Sequence, residues 1–223
     1  YTGPLGGCIR LAVRVERRTL AIASEGWPFI LPLLGGALVL WMFGLQGAGL
    51  FLGLLAGAVG FFFRDPERRP PGETGAILAP ADGRVVRIGP PVDGRRGTEI
   101  SIFLSLFDVH INRAPCAGRI AEVVASRGSF KVAWKAEASQ VNARTLIHLR
   151  GDIGDIFVRQ VAGILARQIV TWVRPGQEVR AGERIGMIRF GSRVDLLLPE
   201  GVSPRVRIGE HVRGGESIIG VVA

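Results

Sequence analysis

With 223 residues, 48% of them hydrophobic, the chain can form one good-sized domain plus an appendage and is too apolar to be disordered. Its net charge of +9 is carried almost wholly by arginine, with lysine only at Lys131 and Lys135, and no basic stretch is interleaved with aromatics, which argues against nucleic acid as a partner. Cys8 and Cys116 are too few for a disulfide framework and have no metal-ligand spacing, so no metal is expected and a reducing compartment fits.

Residues 1–26 form a basic N-terminal segment with Arg10, Arg14, Arg17 and Arg18. Residues 27–63 then run for 37 positions without Asp, Glu, Lys, Arg or His. That is too long for a core helix and too far from the N-terminus for a signal peptide; a bilayer-spanning helix needs about 20 apolar residues. The run predicts a hydrophobic helical hairpin, about 27–43 and 50–63, turning at GLQGAG (44–49) and either spanning or dipping into a membrane. Arginines on both flanks, with Arg64, Arg68 and Arg69 following, put both ends on the cytoplasmic side.

FRDPERRPP (63–71) marks the boundary with the domain of residues 64–223. Short β-type runs follow at 83–88, 99–104, 119–125, 144–149, 155–161, 193–198 and 216–222, separated by Gly, Pro and Asp, and 164–173 is ambiguous between strand and helix. The pattern predicts a mainly β barrel or sandwich. Two internal echoes support it: VRPGQEVRAGERIG from Val173 is repeated by VRIGEHVRGGESIIG from Val206, and LAPADGRV from Leu78 by RAPCAGRI from Arg113. The first pair resembles the hairpins of lipoyl and biotinyl domains, although neither copy contains the lysine that a carrier domain needs.

APADG (79–83), FDVHINRAP (107–115) and FGS (190–192) combine reactive side chains with turn formers. Asp82, His110 and Ser192 are an acid, a base and a nucleophile, and such a set can assemble from distant points of a chain. Singly, each has an ordinary structural explanation; together they point to a site. A serine hydroxyl is weak until a base takes its proton, a task suited to histidine. Gly191, just before Ser192, leaves its carbonyl open to attack.

These segments, with EGWPFI (25–30), SIFLSLFDVHINRAP, RQVAGILARQIV and GERIGMIRFGSRVDLLLP, resemble phosphatidylserine decarboxylases of the short, membrane-anchored bacterial form over about nine-tenths of the chain. The resemblance implies a lipoyl-like catalytic domain that cuts itself between Gly191 and Ser192. It leaves a β chain and an α chain of 32 residues, the latter opening on a covalent pyruvoyl group made from Ser192. That group would form a Schiff base with phosphatidylserine and accept electrons as carbon dioxide leaves, giving phosphatidylethanolamine. His110 would serve as base and proton donor, with Asp82 orienting it. The implied partners are phosphatidylserine and an anionic membrane surface at the cytoplasmic face of the bacterial inner membrane; a homodimer is left open.

The chain departs from longer members at three places. Arg113 stands where they have a second histidine, FGSR replaces LGST, and Glu137, Ala138, Ser139, Asn142, Ala143 and Arg144 replace K-A-S-x-x-N-E-R. His148 and His211 lie within strand or repeat patterns and are poor substitutes. Two other readings are a non-catalytic membrane adaptor and an uncut membrane serine hydrolase; the second lacks a G-x-S-x-G elbow at Ser192.

Overall fold

The apolar run folds as two helices packed side by side, α1 (Trp27–Met42) and α2 (Gln46–Phe62), after a short turn of 3-10 helix at Ser24–Gly26. The computed structural model describes residues 22–126, 128, 142–163, 168–189 and 192–222. The basic segment 1–21, Glu137, Ala138, Ser139, 164–167, Phe190 and Gly191 fall outside them. The turn between the helices is shorter than GLQGAG suggested. Only Gly44 takes a left-handed conformation (φ +78°), and α2 begins at Gln46, so Gly47 and Gly49 are helical. Glycines there allow a close approach: a Cβ on Gly49 would lie 3.0 Å from the Ala37 carbonyl of α1.

The stretch Ser24–Met42 is long and apolar enough to cross a bilayer, whereas α2, at 17 residues, is shorter. Leu31, Leu38, Met42, Phe43, Leu50, Phe51 and Leu54 are exposed along the hairpin, while Ile30, Ala56 and Phe62 are buried. Its two feet meet: Ala23 N donates to the Phe63 carbonyl at 2.8 Å, and Ile22 bridges to Arg64.

The rest is β-structure, in chain order β1 (Ala76–Leu78), β2 (Gly83–Gly89), β3 (Thr98–Leu104), β4 (Ile111–Arg113), β5 (Gly118–Ser126), β6 (Arg144–Gly151), β7 (Gly154–Val161), β8 (Ile169–Thr171), β9 (Glu178–Val179), β10 (Arg184–Ile188), β11 (Ser192–Leu198), β12 (Val202–Pro204), β13 (His211–Val212) and β14 (Ile218–Val222). The mainly β expectation is met. The sheets stay open: an eight-stranded one ordered β13-β2-β3-β11-β7-β6-β5-β9, and two three-stranded ones, β1-β14-β12 and β4-β10-β8. The ambiguous 164–173 segment contributes the strand β8.

The sequence echoes are real symmetry. The two copies of the longer repeat contain β9 and β13 at matching positions, the edge strands of the large sheet, each pairing with the glycine that opens β5 or β2. The shorter repeats exchange bonds: Leu78 N donates to the Pro115 carbonyl and Arg113 N to the Pro80 carbonyl, both at 2.8 Å. Asp82 has Ala117 as its counterpart, so the symmetry breaks at a candidate site residue.

Strand β11 lies between β3 and β7 in the middle of the large sheet. Alternation sends Val194, Leu196 and Leu198 into the main core with Ile100, Ile102 and Val158. Arg193 and Asp195 point the other way and pair at 2.9 Å, and Arg159 joins Asp195 to Glu99. A second, smaller core of Ala23, Phe62, Phe63, Val109, Ile111 and Met187 ties the hairpin foot to β4 and β10.

Candidate active site

Three segments meet at one end of the large sheet. Ser192 opens β11 opposite Leu104, the last residue of β3. Asp82 immediately precedes β2, whose Arg84 lies opposite Phe103 on the other side of β3. Two strand spacings, about 10 Å, therefore separate the backbones that carry Asp82 and Ser192. The next residue must be glycine: a Cβ on Gly83 (φ +146°) would lie 2.2 Å from the Phe103 carbonyl oxygen. His110 arrives from β3 through 105–109, and its carbonyl accepts from Ile188 N at 3.3 Å, four residues before Ser192. The chain between Ile188 and Ser192 thus spans at most about 14 Å.

His110 is fully buried, and its ring packs on Phe62 of α2 with centroids 4.3 Å apart. Nδ1–H donates to the Asp108 carbonyl oxygen at 2.9 Å, which leaves Nε2 as the lone-pair nitrogen, and Nε2 has no hydrogen-bond partner among the described residues. Burial lowers the imidazole pKa to about 4, against the opposing pull of the Asp108 carbonyl and charge, with the Arg64 charge adding to the fall. At neutral pH the ring is an uncharged base. Ser192 is equally buried, and its Oγ likewise has no partner among the described residues. A buried hydroxyl left unmatched is costly unless something else engages it.

Asp82 is not on the imidazole. One oxygen accepts from Arg68 Nη2 at 2.8 Å and the other from Gly214 N at 2.7 Å. Burial raises its pKa while Arg68 and the Gly214 N–H oppose the rise. The hydrogen bond that orients His110 comes instead from the Asp108 backbone, because DVH folds back on itself in the turn before β4. The Asp108 carboxylate holds that turn, accepting from Ser105 N and Oγ at 2.8 and 2.6 Å and pairing with His211 Nε2 at 2.9 Å.

Arg113 is a clamp. Its guanidinium donates to the Gly182 and Pro66 carbonyls at 2.9 and 2.8 Å, fixing the linker that carries Arg68. Burial lowers its pKa to about 10, so it stays charged at neutral pH. His148 pairs with Asp155 among surface groups.

The family model for phosphatidylserine decarboxylase matches residues 55–220. The chain belongs to the phosphatidylserine decarboxylase family. It is 44% identical over 210 residues to a phosphatidylserine decarboxylase proenzyme of Symbiobacterium thermophilum, covering 92% of this chain and 97% of that protein. A proenzyme of the same name from Chlorobium luteolum is 48% identical over 163 residues, 71% of this chain and 76% of the other. One from Beijerinckia indica subsp. indica is 40% identical over 214 residues, 92% of this chain and 91% of the other.

Within this decarboxylase fold, sequence reasoning missed several groups at the site: Phe62 over the imidazole, Asp108 behind it, Arg68 on Asp82, and the buried pair Asn112 and Gln160. Arg68, Asp108 and Asn112 stand inside FRDPER and DVHINRAP, so the motifs held the signal without the roles.

Proposed function

We propose that the chain decarboxylates phosphatidylserine to phosphatidylethanolamine with a pyruvoyl group that it makes from Ser192 by cutting itself after Gly191. Besides family membership, one observation carries the reading: a fully buried serine hydroxyl and a fully buried neutral imidazole, both without hydrogen-bond partners among the described residues, on segments that converge near the start of β11. These residues fit the group. A ketone at position 192 requires a dry pocket and no ligand set, and the unmatched Oγ and Nε2 are what a reacting pair leaves exposed to each other's chemistry.

In maturation, His110 Nε2 takes the proton from Ser192 Oγ, and Oγ bonds to the Gly191 carbonyl carbon as the C–N bond breaks and the freed amine receives a proton. Loss of the Ser192 α-hydrogen then expels the Gly191 carboxylate, and water converts the unsaturated residue to the ketone with release of ammonia. Once present, a pyruvoyl group supplies a carbonyl that takes up the substrate amine and draws off the electrons freed as carbon dioxide departs. In this reading His110 hands a proton to the carbon that lost the carboxylate. Asp82 acts at one remove, anchoring the Arg68 linker and the Gly214 turn that wall this end of the sheet.

The hairpin accounts for the substrate class. A diacyl lipid leaves the bilayer at a cost of about 0.8 kcal/mol per buried methylene, so the site has to come to the membrane. In this reading α1 and α2 lie in the bacterial inner membrane, the β domain lies on its cytoplasmic face, and the arginine surplus meets anionic headgroups.

Intact mass of the purified protein is the direct test. Two fragments are expected, the smaller being residues 192–223 and lighter by one ammonia than the serine-started peptide, together with carbon dioxide release from phosphatidylserine. A single uncut chain that releases no carbon dioxide refutes the proposal.

A further inference from the structure

Two buried carboxamides meet between β4 and β7. Asn112, on β4, and Gln160, on β7, are both fully buried, and Gln160 Nε2 donates to Asn112 Oδ1 at 2.7 Å. The remaining halves, Asn112 Nδ2 and Gln160 Oε1, have no partner among the described residues. Exchanging N and O in both groups changes nothing essential, since one NH₂ and one C=O stay unmatched either way. Stranding two buried polar groups destabilises a fold by about 1–3 kcal/mol each, so a pair serving only to fill space would be better replaced by leucine and methionine.

Register places this pair beside the reacting residues. Gln160 lies directly opposite Val194 of β11, so its side chain shares the face of Val194 and, by alternation, of Ser192. From there it reaches the neighbouring sheet: a Cβ on Gly186 of β10 would touch Gln160 Nε2 at 3.0 Å, and Gly186 is the partner of Asn112. Asn112 is two residues beyond His110 along the chain. Ser192 Oγ, His110 Nε2, Asn112 Nδ2 and Gln160 Oε1 are thus buried polar atoms without a partner among the described residues, on residues that register or chain order makes neighbours.

We infer that Asn112 and Gln160 form the subsite for the amino-acid headgroup, the free NH₂ donating to its carboxylate and the free C=O accepting from its ammonium group. This deepens the proposed function and rests on it. A neutral subsite suits a reaction that destroys the carboxylate. An arginine there would hold the charged ground state most strongly and lose that contact as carbon dioxide leaves, whereas an amide orients the group without fixing its charge. The two arginines nearest in sequence are engaged elsewhere, Arg113 on backbone carbonyls and Arg159 in the ion pairs on the opposite face of the sheet.

The test uses the full-length, processed protein in detergent after borohydride has reduced its ketone to an alcohol, so that lipid binds without turnover. Dihexanoyl phosphatidylserine and dihexanoyl phosphatidylethanolamine, which differ only in the carboxylate, are titrated in turn. The parent is expected to hold the serine lipid at least about tenfold more tightly, the scale of one hydrogen bond to a charged group. Asn112→Leu/Gln160→Met, which removes both partners together, should erase that preference, weakening the serine lipid more than phosphatidylethanolamine, which loses only its ammonium contact. Each single change should weaken the serine lipid, and the one that removes the free NH₂ should reduce the preference, which keeps the test open where the double variant folds poorly. A parent that holds the two lipids equally, or neither, overturns the inference, as does a preference that survives in the variants. Carbon dioxide release by the unreduced parent is scored separately: its absence refutes the proposed function, while its presence beside a surviving preference refutes only the subsite.

Discussion

Replacing His110 by glutamine should make the protein more tolerant of acid. In the folded state burial lowers the imidazole pKa to about 4, whereas in the unfolded chain it returns to about 6.5. Between those values the unfolded state binds the proton and the folded state does not, so stability falls as the pH drops. The loss is negligible above pH 7, about 2 kcal/mol at pH 5, and levels off at about 3 kcal/mol below pH 4, at about 1.4 kcal/mol for each pH unit between the two pKa values. For a chain of this size, 2 kcal/mol is about 4–8 °C in melting temperature. The comparison is made in detergent on the uncut Ser192→Ala background with and without His110→Gln, so that every other titrating group cancels. The melting temperatures of the two proteins should diverge between pH 7 and pH 5, with the parent falling further. Parallel curves over that range would refute the argument that the ring is held neutral.

Ser192→Ala should yield one uncut chain and no carbon dioxide release, read by intact mass and gas evolution; cleavage at the normal position would move the nucleophile elsewhere. Phe62→Ala opens the imidazole to water, so the acid limb of self-cleavage should move up toward pH 6.5, and the emptied aromatic site should cost about 3–5 kcal/mol in denaturant unfolding; an unmoved limb would detach the hairpin from the histidine. Arg68→Met strands the Asp82 carboxylate, now paired with Arg68 at 2.8 Å with both side chains about nine-tenths buried. It should destabilise the protein by about 3–5 kcal/mol at pH 7 and by less at pH 4, where the acid is protonated. A pH-independent loss would point to packing instead of charge.

Much of the β framework was legible because alternation and turn residues are local. The run 99–104 became Thr98–Leu104, 193–198 became Ser192–Leu198, and 83–88 became Gly83–Gly89. The hairpin turn was read too long because Gly47 and Gly49 look like turn formers, while in the structure they are contact points between helices. The reactive trio stood out because each member sits in a distinctive motif. What stayed hidden depended on cross-strand register: nothing in the strings INRAP and RQVAG says that the two amides meet, and only the pairing of β7 with β11 and of β4 with β10 brings them together. The partner of the imidazole was missed for a related reason, since it is a backbone carbonyl and carries no side-chain signature.

The central position of β11 has a consequence for the life history of the molecule. Under the proposed cut before Ser192, the smaller fragment would begin with a strand laddered on both edges, seven residues against β3 and five against β7. The precursor folds as one chain, closing that ladder within itself. The mature form, once unfolded, has to recover its middle strand from solution, so reassembly becomes bimolecular and slows with dilution. On that proposal each molecule would reach its working state once, by way of an uncut precursor.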